Sequence, residues 1–287
     1  MKPYYALKHQ AKVVRWHARR RKVGARVGSE VLAGMPVVMG TAIPKAGSHL
    51  INQVLQSLPK IGPFVSSGFF PVNRGEDNSK LSADHVLAKI NLMQPGDIGY
   101  GYLHYEEPFI TALTTPNRAT IFVYRDPRDV VVSAMKYATY MNSKHGLHTY
   151  MNERLENDEA RLNSIIAGIP EADIGYSSIA KRYAHYIGWL SERKVLSLRF
   201  EELVNARENT IKRILAYLSH KGFELVGKQE DAVNQLVGGI KPEKSGTFRK
   251  GLSGGWREIF SPKNKETFKQ TTGDLLIQLG YEQNQDW

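Results

Sequence analysis

Short apolar runs alternate along this chain with longer segments in which apolar residues recur at helical spacing. Val37, Val38 and Met39 form the first run, which ends at Gly40-Thr41, and the positions from Leu50 to Leu58 carry a helical period after Ser48. This order predicts strand, loop and helix. Ala119 to Tyr124 repeats the form, an apolar run suited to burial on both faces, followed by Pro127 at a helix start and a long segment to Tyr140. Further strands are predicted at Tyr100 to His104, just ahead of Glu106-Glu107-Pro108, and at Val195 to Phe200, after a helical stretch ending near Trp189. Strands separated by helices predict an α/β fold with a parallel sheet. Lys241 to Gly255 is rich in Gly, Lys and Ser and has no apolar period, so it reads as a long loop before a last helix over Asn264 to Leu279. Loops of that length inside a compact domain commonly carry function.

Composition narrows the class. The 287 residues, 41% of them apolar, can bury one large core, and neither a fixed-period repeat nor a linker divides them. With no cysteine, a thiol nucleophile, a disulfide framework and cysteine-ligated metal are excluded. The formal charge of +11 is unevenly placed: residues 1–29 hold nine Lys and Arg and no acid, leaving 30 basic against 28 acidic residues in the remainder. We therefore divide the chain into a basic arm or helix over 1–30 and a single catalytic domain over 31–287. Basic character confined to the arm argues against a nucleic-acid partner. The arm reads as a solvated helix packed on the domain, with a weak contact to an anionic surface as the alternative. No apolar run approaches the roughly 18 residues of a bilayer span, and no short apolar core of a secretory leader opens the sequence, so a cytoplasmic location is expected.

The most informative segment is Gly40-Thr41-Ala42-Ile43-Pro44-Lys45-Ala46-Gly47-Ser48-His49. An anion cradle needs converging backbone N–H groups at a helix start, glycine where a side chain would block approach, and a cation. All three are present. In nucleotide triphosphatases glycine directly precedes the lysine and Ser or Thr follows to hold magnesium; here Lys45 precedes Gly47. A P-loop kinase, with Ile121 to Asp126 as its acidic strand end, stays open as an alternative.

Pro44-Lys45 with Gly47-Ser48 resembles the Pro-Lys-Ser-Gly-Thr-Thr loop of sulfotransferases that use 3′-phosphoadenosine 5′-phosphosulfate (PAPS). Arg125-Asp126-Pro127-Arg128-Asp129-Val130-Val131-Val132-Ser133 resembles the family's Arg-Asn/Asp-Pro-Lys/Arg-Asp-Val-x-x-Ser, and Arg249-Lys250-Gly251 with Gly254-Gly255-Trp256 resembles its Arg-Lys-Gly and Gly-x-Trp. The three stand in family order over residues 40 to 256. The resemblance implies a three-layer sandwich around a parallel sheet with a P-loop-like cofactor site, PAPS as co-substrate and no metal. It assigns the phosphosulfate to Lys45, Ser48, His49 and backbone amides of the loop that holds Ala46 and Gly47, puts Leu50 at the cofactor where relatives carry a tryptophan for the adenine to stack on, and assigns the 3′-phosphate to Arg125 and Ser133 with Arg249, Lys250 and Gly251. Phe200, in Phe200-Glu201-Glu202-Leu203 where relatives read Tyr-Glu-Asp-Leu, is expected against the nucleoside.

Transfer of a sulfuryl group to a hydroxyl or amine also needs a base at the acceptor proton and positive charge at the leaving oxygen. The family's histidine lies in a Lys-Thr-His context a similar distance before the arginine; here Tyr102-Leu103-His104 stands twenty-one residues before Arg125. The resemblance thus assigns His104 as base and Lys45 as leaving-group stabiliser, with Glu106 and Glu107 as alternative bases. Departures are Tyr102 for the lysine and Leu50 for a tryptophan, and the family's dimer motif is reduced to Arg257, Ser261-Pro262 and Glu266. These departures keep a catalytically inactive, nucleotide-binding relative open. The acceptor pocket is expected from residues 65–84 and 145–175, with Phe69, Phe70, Tyr140 and Tyr150 as walls. The two glutamates suggest a small polar or cationic acceptor.

Overall fold

The computed structural model describes residues 3–68, 71–241 and 253–287. Chain order begins with α1 (Pro3–Val27), α2 (Ser29–Ala33), β1 (Val37–Ala42), α3 (Ser48–Ser57), β2 (Val65–Ser66) and α4 (Ala83–Asn91). It continues with β3 (Asp97–Gly101), α5 (Phe109–Leu113), β4 (Arg118–Tyr124), α6 (Pro127–Lys136), α7 (Asp158–Ala167) and α8 (Ile179–Ala184). The last third is β5 (Val195–Arg199), α9 (Phe200–Asn205), α10 (Arg207–His220), α11 (Gln229–Val237), α12 (Pro262–Thr272) and α13 (Leu275–Gln278).

Among the described residues the sheet has five strands in the order β2-β3-β1-β4-β5, and every pairing is parallel. β1 is central and buried along its whole length. Its two faces feed different cores. Val37 and Met39 pack with residues of α4 to α8 and α12, whereas Val38 and Ala42 pack with α3, α10 and α11. A strand covered on both sides must be apolar at successive positions, which is why Val37-Val38-Met39 is a run and not an alternation. Gly40 interrupts it because a Cβ there would stand 2.6 Å from Leu55 Cδ1, so α3 lies directly on the strand.

Two expected boundaries move. β3 ends at Gly101, three residues short of His104, because the backbone leaves the ladder: Tyr102 N–H donates to Asn73 Oδ1 (3.2 Å) and Leu103 N–H to Thr41 Oγ1 (3.1 Å). The last helix breaks at Gly273 (φ +50°), giving α12 and α13 in place of one continuous Asn264–Leu279 helix. At its start Ser261, one of the reduced dimer-motif positions, caps α12 by accepting from Asn264 N–H.

The basic arm is α1, and no helix among the described residues is long and apolar enough to cross a membrane. Its docking face is polar as well as apolar. Trp16 packs on Val65 of β2 and donates from Nε1 to Asp97 Oδ1 (2.9 Å), which also accepts from Arg20 (2.9 Å). Asp97 is fully buried, and burial pushes its carboxyl above the ordinary range despite these donors. We expect Asp97→Ala, which strands both donors, to cost about 2–4 kcal/mol in urea unfolding. The same change should speed tryptic cleavage within α1; unchanged stability and cleavage would show that the pair does not hold the helix.

Candidate active site

Because the strands are parallel, their carboxyl ends share one edge, and ligand sites of open α/β sheets form there. His104 follows β3, Lys45 follows β1, Arg125 follows β4 and Phe200 follows β5. These four strands are lateral neighbours, so positions far apart in sequence are spread over only about 14 Å, three strand spacings.

The turn after β1 has a left-handed backbone at Lys45 (φ +71°) and again at Gly47 (φ +104°), the N-cap of α3. A non-glycine residue in that region is unusual, and the conformation curls successive N–H groups toward one side at a helix N-terminus. Gly47 is required twice over: its φ disfavours a side chain, and a Cβ would meet Phe200 Cδ2 at 2.5 Å. Lys45 Nζ rests 3.8 Å from the Tyr137 ring centroid. Burial, and then the Arg125 charge, lower its ammonium to about 8. A cation held against desolvation and a second cation is poised for an anion. His49 is exposed and lowered by desolvation and Lys45. Ser48 Oγ accepts from Tyr102 O–H (3.2 Å), so the residue in place of the family lysine is hydrogen-bonded to the cradle.

The Arg125–Ser133 segment divides its labour. Asp126 caps α6 and pairs with Arg128, which is 1% exposed, receives a second carboxylate from Glu282, and lies against the rings of Trp256 and Trp287. These residues form scaffold. Asp129 accepts from Gly254 N–H (2.7 Å) and Trp256 N–H (3.0 Å), tying the return of the long loop to α6. It also stands 3.7 Å from Arg125, whose guanidinium lies 4.2 Å above the Phe200 ring. Ser133 is half-buried one turn beyond Asp129. Phe200 therefore links Gly47 to Arg125, beneath the cradle.

His104 sits in a pocket lined by Ile43, Pro44, Ile179, Arg182, His185 and Tyr186. Its placement is fixed by backbone: Leu103 C=O accepts from Trp189 Nε1 (3.0 Å), Tyr105 N–H donates to His185 C=O (2.6 Å), and the His104 ring stacks on His185 at 4.6 Å. Nδ1 faces Glu106 Oε1 at 3.5 Å. Desolvation and His185 outweigh Glu106 and lower its pKa, so the ring is neutral at pH 7. Ile43 and Pro44 immediately precede Lys45, so this pocket opens beside the anion cradle.

The expected residues are only partly gathered. Lys45, Ala46, Gly47, Ser48, His49, Arg125 and Phe200 share the carboxyl edge; Arg249, Lys250 and Gly251 lie outside the described residues, as do Phe69 and Phe70. Leu50 packs within the core, 5% exposed, and its N–H donates to Gly47 C=O. Glu107 accepts from Thr111 N–H at the start of α5, and neither it nor Glu106 lines the pocket. Tyr140 and Tyr150 hydrogen-bond to Asp158 and Glu171, away from the pocket wall. Sequence reading missed that wall. Ile179, Arg182 and Tyr186 recur at helical spacing, a signal indistinguishable from core packing before their partners are known. Tyr137 escaped notice, and its ring meets that of His145 edge to face; burial and the Lys45 charge lower His145.

The sequence matches the sulfotransferase domain family model over residues 38–280. Comparison with curated proteins finds no match. Among solved structures, mouse sulfotransferase SULT7A1 complexed with PAP is similar at a TM-score of 0.61 and 17% identity, covering 89% of this chain and 93% of that one. Retinol dehydratase, with androsterone and the inactive cofactor PAP or with retinol and PAP, is similar at 0.55 and 15%, covering 85% and 83%.

Asp129 supplies the test of this geometry. Asp129→Ala releases two backbone donors and the Arg125 contact, and we expect about 10–100-fold weaker calorimetric binding of adenosine 3′,5′-bisphosphate. Asp129→Asn, which keeps one acceptor, should fall between; wild-type affinity in both would separate Asp129 from the site.

Proposed function

The chain belongs to the sulfotransferase domain family, and on that premise we propose that it moves a sulfuryl group from PAPS to a hydroxyl or amine of a small acceptor, releasing adenosine 3′,5′-bisphosphate. The observation carrying this reading is that His104 shares one pocket with Ile43 and Pro44, the residues leading into the Lys45 turn. A neutral imidazole and an anion cradle thus border the same space.

The described residues fit such a co-substrate. The left-handed turn and the lowered Lys45 ammonium suit the phosphosulfate end, and Arg125 with Ser133 suits the 3′-phosphate, a fork of donors being well matched to it. PAPS supplies the sulfuryl group: the acceptor oxygen or nitrogen bonds to sulfur, while the bridging sulfur–oxygen bond breaks and its electron pair leaves with the bisphosphate. His104 Nε2 takes the acceptor proton, and Lys45 offsets charge at the leaving oxygen. Both would act mainly by position, since both are held before any ligand binds.

A calorimetric titration with adenosine 3′,5′-bisphosphate, set against ATP with magnesium, tests the class; binding of ATP alone would sink it. We expect His104→Ala to lower kcat by roughly 10²–10⁴ with bisphosphate affinity within about twofold, the separation expected of a base. Lys45→Ala should weaken both. In the free enzyme kcat/KM should be bell-shaped. It rises as His104 loses its proton below the ordinary histidine value and falls as Lys45 loses its proton near pH 8. The alkaline limb should vanish from the residual activity of Lys45→Arg, whose charge persists; an unmoved limb would assign it elsewhere.

A further inference from the structure

Arg182 is a cation whose surroundings leave it incomplete. It projects from α8, whose start Ser178 caps, on the face that also carries Ile179 and continues to His185 and Tyr186. One amino group donates to Tyr176 O–H (2.6 Å), the other to Ile165 C=O (3.4 Å), and the guanidinium lies 4.7 Å from the Tyr176 ring centroid. These contacts orient the side chain without neutralising it. Its Nε is buried and has no hydrogen-bond partner, and among the described residues no carboxylate reaches ion-pair distance. A half-buried charge without a counterion is costly, and an unsatisfied donor adds to that cost. The cost of the unpaired charge falls when an oxyanion enters the pocket.

The rest of the pocket agrees. Ile43, Pro44, Ile179 and Tyr186 offer an apolar body, His104 marks the reacting end, and among the described residues no acidic side chain lines it. Resting on the sulfotransferase reading, we propose that Arg182 is a specificity-determining residue and that the acceptor is a hydroxy compound carrying a carboxylate or similar oxyanion. Its hydroxyl faces His104 while its anionic group pairs with Arg182. This reverses the cationic acceptor suggested by Glu106-Glu107, since Glu107 is occupied in capping α5 and Glu106 flanks His104.

Three matched phenols test it in the full chain with PAPS: 4-hydroxyphenylacetate, 4-hydroxyphenylacetamide and tyramine, with sulfated product read by mass spectrometry. We expect kcat/KM to favour the carboxylate over the amide by about 10–100-fold, and the amine to be poorest. Arg182→Gln should collapse the carboxylate-to-amide ratio toward one, and Arg182→Lys should keep part of it. A preference for tyramine, or an equal loss on all three in Arg182→Gln, overturns the proposal. If none is turned over, saturation-transfer NMR of 4-hydroxyphenylacetate with the bisphosphate-loaded protein decides, and absence of binding also overturns it. Bisphosphate binding with no acid preference refutes only this inference; no bisphosphate binding refutes the sulfotransferase reading beneath it.

Discussion

Uniform strand direction is the constraint on which the site depends. Five parallel strands must exit on one edge, so each strand contributes its next residues to the same rim. β1 gives the anion turn, β3 the histidine, β4 the arginine and β5 the phenylalanine that packs between Gly47 and Arg125. Reversing one strand would send its residue to the opposite edge. Burial of β1 on both faces is what permits this arrangement, because a parallel sheet needs helices on either side.

The rim concentrates positive charge, and the fold offsets that cost with groups outside the anion site. Arg128 shares the segment that bears Arg125, yet it is turned inward onto Asp126, Glu282 and two tryptophans. Buried, fully paired charges of this kind contribute geometry more than net stability. Asp129 extends the same scaffold to the loop return at Gly254 and Trp256, while its neighbour Arg125 stays toward the site. Lys45 is left near the edge of ionisation, which makes it responsive to an arriving anion.

On the acceptor side the departures from the family pattern have physical counterparts. Tyr102 substitutes a neutral hydroxyl for a lysine and spends it on Ser48, so less positive charge surrounds the cradle. His104 is stacked on His185 and met edge-on by Tyr186, while burial and then the His185 charge lower its proton affinity. Glu106 opposes that lowering from the solvent side.

By itself the sequence determined the parallel α/β class and the strand–turn–helix that carries Lys45, because both follow from local physics. Consecutive apolar residues mark strands buried on two faces, and Lys45 to Ser48 places a lysine and a glycine where a strand becomes a helix. Arg125 was legible for the same reason, sitting between a strand and a proline-led helix. Tertiary structure alone decided the rest. Leu50 proved to be core because helix phase is set by what packs on it, and His104 lies beyond its strand because the Thr41 hydroxyl captures the next peptide. The pocket wall joins Ile43, His104 and Arg182 across two crossovers. No local pattern records which residues a crossover will bring face to face.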